Sequence, residues 1–138
     1  MPPKQSINTL ARTGDIAGVQ RRLKEGVPVD FIDNGRAKTT PLQEAAWAGH
    51  VEIVRLLIAA GANVSHVDID GFSPASQAAA NRHWEVVFLL AEAGANLGEI
   101  DASGFTARHY IEKRCGVRWK QRLAPWIGPG NAGSVGDR

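Results

Sequence analysis

One cysteine in 138 residues cannot close a disulfide within the chain. That excludes the small secreted scaffold held together by cross-links and points to a reducing compartment. Cys115 and four scattered histidines do not supply the four clustered ligands of a structural zinc site. Long apolar runs are missing as well. The longest, Val86-Val87-Phe88-Leu89-Leu90-Ala91, falls far short of the roughly 20 residues of a membrane span, as does Leu56-Leu57-Ile58-Ala59-Ala60. Met1-Pro2-Pro3-Lys4-Gln5-Ser6 leads into no apolar stretch, so we expect no secretory leader and a cytoplasmic setting. Net charge is only +2, too little to imply nucleic-acid binding. What is present is 43% apolar and 22% charged residues, enough for a packed core.

The charge is unevenly spread. Residues 1–100 carry 9 Lys/Arg and 11 Asp/Glu, whereas residues 101–138 carry 7 and 3. The excess lies in Arg108, Lys113, Arg114, Arg118, Lys120 and Arg122. The simpler reading is a solvated basic helix at the carboxy-terminal end. The alternative is a site for an acidic partner or nucleic acid.

Internal repetition organises the chain. Gly61-Ala62-Asn63 returns 33 residues later as Gly94-Ala95-Asn96. Thr40-Pro41 returns as Ser73-Pro74 and then as Thr106-Ala107, at the same spacing of 33. Asp68-Ile69-Asp70-Gly71-Phe72 matches Asp101-Ala102-Ser103-Gly104-Phe105. Each unit reads alike. Thr40 is a good N-cap, Pro41 fits the first helical position, and Gln43 completes a capping-box pattern. A short helix rich in alanine follows and stops at Gly49. A second helix begins at Val51, with Ile53, Val54, Leu57 and Ile58 on one face, and exits at Gly61. The segment to Gly71 is extended and turn-rich. Such a helix pair cannot bury its apolar face alone, so neighbouring units must stack.

Thr40-Pro41-Leu42-Gln43-Glu44-Ala45-Ala46, Gly49-His50-Val51-Glu52-Ile53-Val54 and Leu56 to Val64 resemble the ankyrin repeat family in order and spacing. Gln43 stands where the family motif has histidine. The resemblance implies an all-α solenoid of about four helix-turn-helix units joined by hairpin loops, the outermost two acting as caps. The units fall at about 6–32, 33–67, 68–100 and 101–124, with a Pro/Gly-rich tail over 125–138. The first hairpin loop is two residues longer than the second, since Gly26 to Pro41 spans 15 residues and Gly61 to Pro74 spans 13. Pro125 is expected to end the last helix, and Trp126-Ile127 to fold back on the last repeat. Arg82 replaces the turn glycine of the preceding unit, so that turn is expected to change shape.

The resemblance also implies a function, non-catalytic binding of a protein partner through the concave face. On that alignment Thr39, Trp47, Ala48, Ile69, Phe72, Ala80, Asn81, Phe105, Lys113 and Arg114 point into the face. Trp47 and the two phenylalanines are the large apolar groups among them, and such groups are favoured anchors. The competing reading of Phe72 and Phe105 is hairpin packing. A second apolar ridge, Trp84 and Phe88 on the outer side of the third unit, awaits cover from the tail or from a partner. Family members also include substrates of asparaginyl hydroxylation, at positions matching Asn63 and Asn96.

No catalytic set stands out. There is no G-x-S-x-G and no P-loop. His50 and His83 occupy one position at the helix–helix turn and read as backbone-bonding residues. His66 falls in a hairpin loop, and Asp68, Asp70 and Asp101 read as turn residues. We expect no catalytic, cofactor or metal site, and a chain that is a monomer by itself. An inhibitor or immunity-type protein is one version of that role. An adaptor or secreted effector is the alternative. The remaining alternative, an enzyme, would have to use His109 or Cys115, whose thiol the neighbouring Arg114 could acidify.

Overall fold

The computed structural model describes residues 4–35 and 38–127. Its helices are α1 (Ile7–Thr13), α2 (Ile16–Lys24), α3 (Pro41–Ala48), α4 (Val51–Ala59), α5 (Pro74–Ala80), α6 (Trp84–Glu92), α7 (Ala107–Arg114) and α8 (Val117–Ile127). Each consecutive pair forms one unit. The first helices α1, α3, α5 and α7 stack in one row, and the second helices α2, α4, α6 and α8 in another. Among the described residues the only strand-like pairing is an isolated bridge between Ile100 and Thr106.

Side-chain size explains the two rows. The first helices meet through Ala45, Ala46, Ala75, Ala78 and Ala79, all buried, so their backbones approach closely. The second helices contribute the bulk: Ile53, Val54 and Leu57 from α4, Val86, Val87 and Leu90 from α6, and Leu123 from α8. These residues form one continuous core. Every first helix begins with a hydroxyl cap. Ser6, Thr40, Ser73 and Thr106 each accept from the backbone N–H three residues on. At α3 the reciprocal bond, Thr40 N–H to Gln43 Oε1, measures 3.2 Å and closes the capping box.

Polar side chains tie each unit to the next. His50 Nε2 donates to the carbonyl of Arg12 at 2.9 Å, and His83 Nε2 to that of Trp47 at 3.1 Å. Asn8 donates to Thr39 O at 3.0 Å and Gln43 to Phe72 O at 2.7 Å. Asn8 and Gln43 are equivalent once the longer first loop is counted. Ser76, at the next such position, spends its hydroxyl within its own capping box.

The turn between helices needs a left-handed residue. Gly49 supplies it at φ 81°, and Arg82 holds the same conformation at φ 63°. Arg82 keeps the left-handed conformation, and the expected reshaping is confined to the helix end, α5 stopping at Ala80 one residue short of the place where α3 stops. Stacking of α5 and α6 against their neighbours outweighs a local cost of about 1–2 kcal/mol. Lys38 does the same at φ 57°, in the hairpin position that Gly71 and Gly104 fill elsewhere. Gly49 is the stricter case. A Cβ there would lie 2.6 Å from the His83 ring. Gly49→Ala is therefore expected to destabilise the chain by more than about 1 kcal/mol, because backbone strain adds to displacement of His83. Arg82→Gly should leave stability equal or higher. Urea titration of the two variants checks both signs.

The last helix corrects a sequence expectation. Pro125 does not end α8, which continues to Ile127 with the proline inside it. Proline cannot donate to the carbonyl of Gln121, but Gln121 and Pro125 are both exposed and water reaches that carbonyl. Trp126 thus belongs to the helix and not to a tail. The Gly/Pro-rich segment expected from residue 128 onward lies outside the described residues.

Candidate functional site

The candidate surface is built from columns of equivalent residues, one per unit. Arg12, Trp47, Ala80 and Lys113 form one column at the ends of the first helices. Ala48, Asn81 and Arg114 form the next. Trp47 is 51% exposed, an unusual state for an indole within a helix. Its main chain is nonetheless well held, since its carbonyl accepts from both Asn81 Nδ2 at 3.1 Å and His83. Arg114 repeats the Asn81 contact one unit on, donating to Ala80 O at 3.2 Å, and its guanidinium lies over the Tyr110 ring. Asn81 and Arg114 therefore serve repeat stacking as well as lining the surface. Ala48 and Ala80 are half-buried and Lys113 is exposed.

The hairpins supply the opposite wall. Asp68 Oδ1 accepts from the backbone of Asp70 and Phe72, and Asp101 Oδ1 from that of Ser103 and Phe105. These carboxylates shape turns, as their spacing predicts. Their second oxygens reach back to the helices, Asp68 to Gln77 Nε2 and Asp101 to the Tyr110 hydroxyl. Burial, aided by the Asp101 hydrogen bond, pushes the Tyr110 hydroxyl pKa up. Phe72 is half-buried beside Trp47, and both line a shallow cleft of about 170 Å³ with Gln77, Ala80 and Asn81. Phe105 stacks on His109 of its own unit at 4.4 Å between ring centroids. Ile69 projects from a hairpin tip, 66% exposed. Thr39 is buried and donates its hydroxyl to Glu44.

The Phe88 end of the outer ridge is already covered, whereas Trp84 lines an open cleft. Phe88 meets Trp126 edge-on at 5.4 Å and Trp119 at 6.3 Å, and the Arg122 guanidinium lies 4.6 Å from both the Phe88 and Trp119 rings. Trp84 is half-buried against the core. Helix α8, not a flexible tail, is the cover. Arg122, counted in the sequence as part of a solvated basic face, is exposed and also lays its guanidinium against the two rings.

Cys115 departs from the reactive reading. It is buried, and burial pushes its thiol pKa up, against a smaller lowering influence from Lys120. The neighbouring Arg114 is engaged elsewhere. The native thiol should react with a maleimide at neutral pH at least about tenfold more slowly than in the urea-unfolded chain. Equal rates would mean an open, acidified thiol. Among the described residues no group of three or more His, Cys, Asp and Glu is placed to hold a metal ion, and no helix is long and apolar enough to cross a membrane.

Sequence reasoning missed Asn8, which is fully buried and bridges two hairpin carbonyls. The signal was available, since the two-residue longer first loop shifts the repeat offset to 35 and aligns Asn8 with Gln43.

Comparison with known proteins agrees with this architecture. Residues 40% identical over 62 positions occur in the histone-lysine N-methyltransferase EHMT1 of Mus musculus and of Homo sapiens, covering 45% of this chain and 5% of each relative. The ankyrin repeat, SAM and basic leucine zipper domain-containing protein 1 of Otolemur garnettii is 47% identical over 53 residues, covering 38% of this chain and 11% of the relative. The chain thus spans only a small part of the length of these relatives. A family model for ankyrin repeats in three copies matches residues 7–110. The chain belongs to the ankyrin repeat family, whose repeats are protein-interaction modules and not catalysts.

Proposed function

We propose that the chain binds a protein partner through the face formed by the first helices and the hairpins, with Trp47 as the central anchor. The observation that carries this is an indole half open to water on a well-held main chain, beside Phe72 and an open cleft. Large aromatics that keep their place without a partner lose little entropy on binding. Ala48, Ile69, Ala80, Asn81, Phe105, Lys113 and Arg114 surround it as the wider footprint. In this reading the chain is a monomer in the cytoplasm, and the partner completes the surface.

The test is capture by immobilised wild type and by Trp47→Ala from lysate of the source. A protein retained by the first and lost by the second, while Val117→Ser on α8 retains it, supports the reading. Retention by Trp47→Ala overturns it. Inhibitor and adaptor versions then separate on the partner's activity. An inhibitor abolishes that activity at a stoichiometric ratio, and an adaptor does not.

A further inference from the structure

The cleft beside Trp47 has a chemical character that goes beyond apolar anchoring. It shares Trp47, Phe72 and Gln77 with a second cleft of about 280 Å³, whose lining also includes Glu44, Asp68 and Asp70. Three carboxylates therefore face one space, with only Arg12 as a cation on its wall. Two of the three are engaged. Glu44 accepts from the Thr39 hydroxyl at 2.5 Å and has Arg12 Nη1 at 3.7 Å. Asp68 is bonded through both oxygens. Asp70 is exposed, and its carboxylate accepts no hydrogen bond from the described residues. Gln77 also lines the cleft, but its Nε2 donates to Asp68 and its Oε1 is closed off from solvent, so Asp70 is the acceptor left open to a partner.

An excess of negative charge, two aromatic rings and the open Asp70 carboxylate together select a cation that donates several hydrogen bonds. Resting on the inner-face reading above, we infer that this cleft receives an arginine side chain of the partner. A guanidinium is flat, so it lies on the Trp47 indole while its in-plane donors pair with the open Asp70 carboxylate. A lysine ammonium is a compact, strongly hydrated charge and does not satisfy the ring face and both oxygens of the Asp70 carboxylate together. The chain already makes a contact of this kind within itself, where Arg122 sits 4.6 Å from the rings of Phe88 and Trp119. Arg12 is the internal competitor, since it holds part of the same negative field without filling the cleft.

The test uses nitrogen-labelled full-length protein titrated with N-acetylarginine methylamide and with its lysine and norleucine counterparts. Side-chain resonances of Trp47 and Gln77 are followed by NMR. The arginine derivative is expected to shift both saturably, the lysine derivative at least about threefold more weakly, and the norleucine derivative not at all. Asp70→Asn should weaken the arginine derivative about threefold or more, and Arg12→Gln should strengthen it. Asp70 is exposed and its carboxylate takes no hydrogen bond from the described residues, and a urea titration of the Asp70→Asn variant separates loss of fold from loss of binding. Equal shifts from norleucine, or an Asp70→Asn variant with unchanged affinity, would overturn the inference. The two readings fail separately. A captured partner that needs Trp47 but ignores Asp70→Asn leaves the inner-face reading standing and removes the arginine. A partner indifferent to Trp47 removes the wider reading, even where the derivative binds.

Discussion

Leu57→Ala and Leu90→Ala are each expected to lower folding stability by about 2–5 kcal/mol, read from urea unfolding. Both side chains are fully buried, one in α4 and one in α6, and they hold equivalent places in adjacent units. Truncation removes apolar burial and leaves a cavity that the neighbours close only in part. Array length raises the stakes. A repeat protein is held by contacts between neighbouring units, and this one has about four units with no spare central interface. Weakening the second or third unit therefore weakens the whole array. A loss below about 0.5 kcal/mol for both variants would mean that the assigned register is wrong. Leu56→Ala is the control. Leu56 is only half-buried in the same helix, so its truncation should cost clearly less.

The legible part of this molecule is the part governed by local rules. Thr40, Pro41 and Gln43 announce a helix start, and the structure forms the capping box they imply. His50 and His83, 33 residues apart, read as backbone-bonding turn residues, though the carbonyls they reach belong to the preceding unit. The errors fall where stacking overrides local preference. Arg82 keeps a left-handed turn that its side chain disfavours, because the packed helices on either side fix the chain's path. Pro125 stays in a helix because its missing hydrogen bond faces water and Trp126 beyond it packs on Phe88. The basic run in α8 looked uniformly solvated, yet the same stretch places Trp119, Arg122 and Trp126 on the outer ridge. Charge counting does not reveal which cations are held against aromatic rings. The inner face was legible as a set of columns, but not its polarity. That comes from hairpin carboxylates far from Trp47 in sequence, and only folding brings Asp70 and Gln77 beside it.

Trp47→Ala is expected to weaken binding of the captured partner at least about 30-fold, or roughly 2 kcal/mol, while changing folding stability by under about 1 kcal/mol. The two numbers separate because side chain and main chain do different jobs at this residue. The backbone carbonyl accepts from His83 and Asn81, and those bonds survive truncation. The indole is 51% exposed and closes no core contact between units. Burial given up within the chain is therefore small, whereas burial given up against a partner includes the exposed half of the ring. Isothermal titration with the partner and urea unfolding of the free protein measure the two effects independently. A large stability loss with affinity intact would make Trp47 a packing residue. The Phe88 end of the outer ridge could not then take its place, because α8 already covers it. The interface would have to move to the open cleft at Trp84 or to the hairpin tips, where Ile69 and Ile100 stand 66% and 73% exposed.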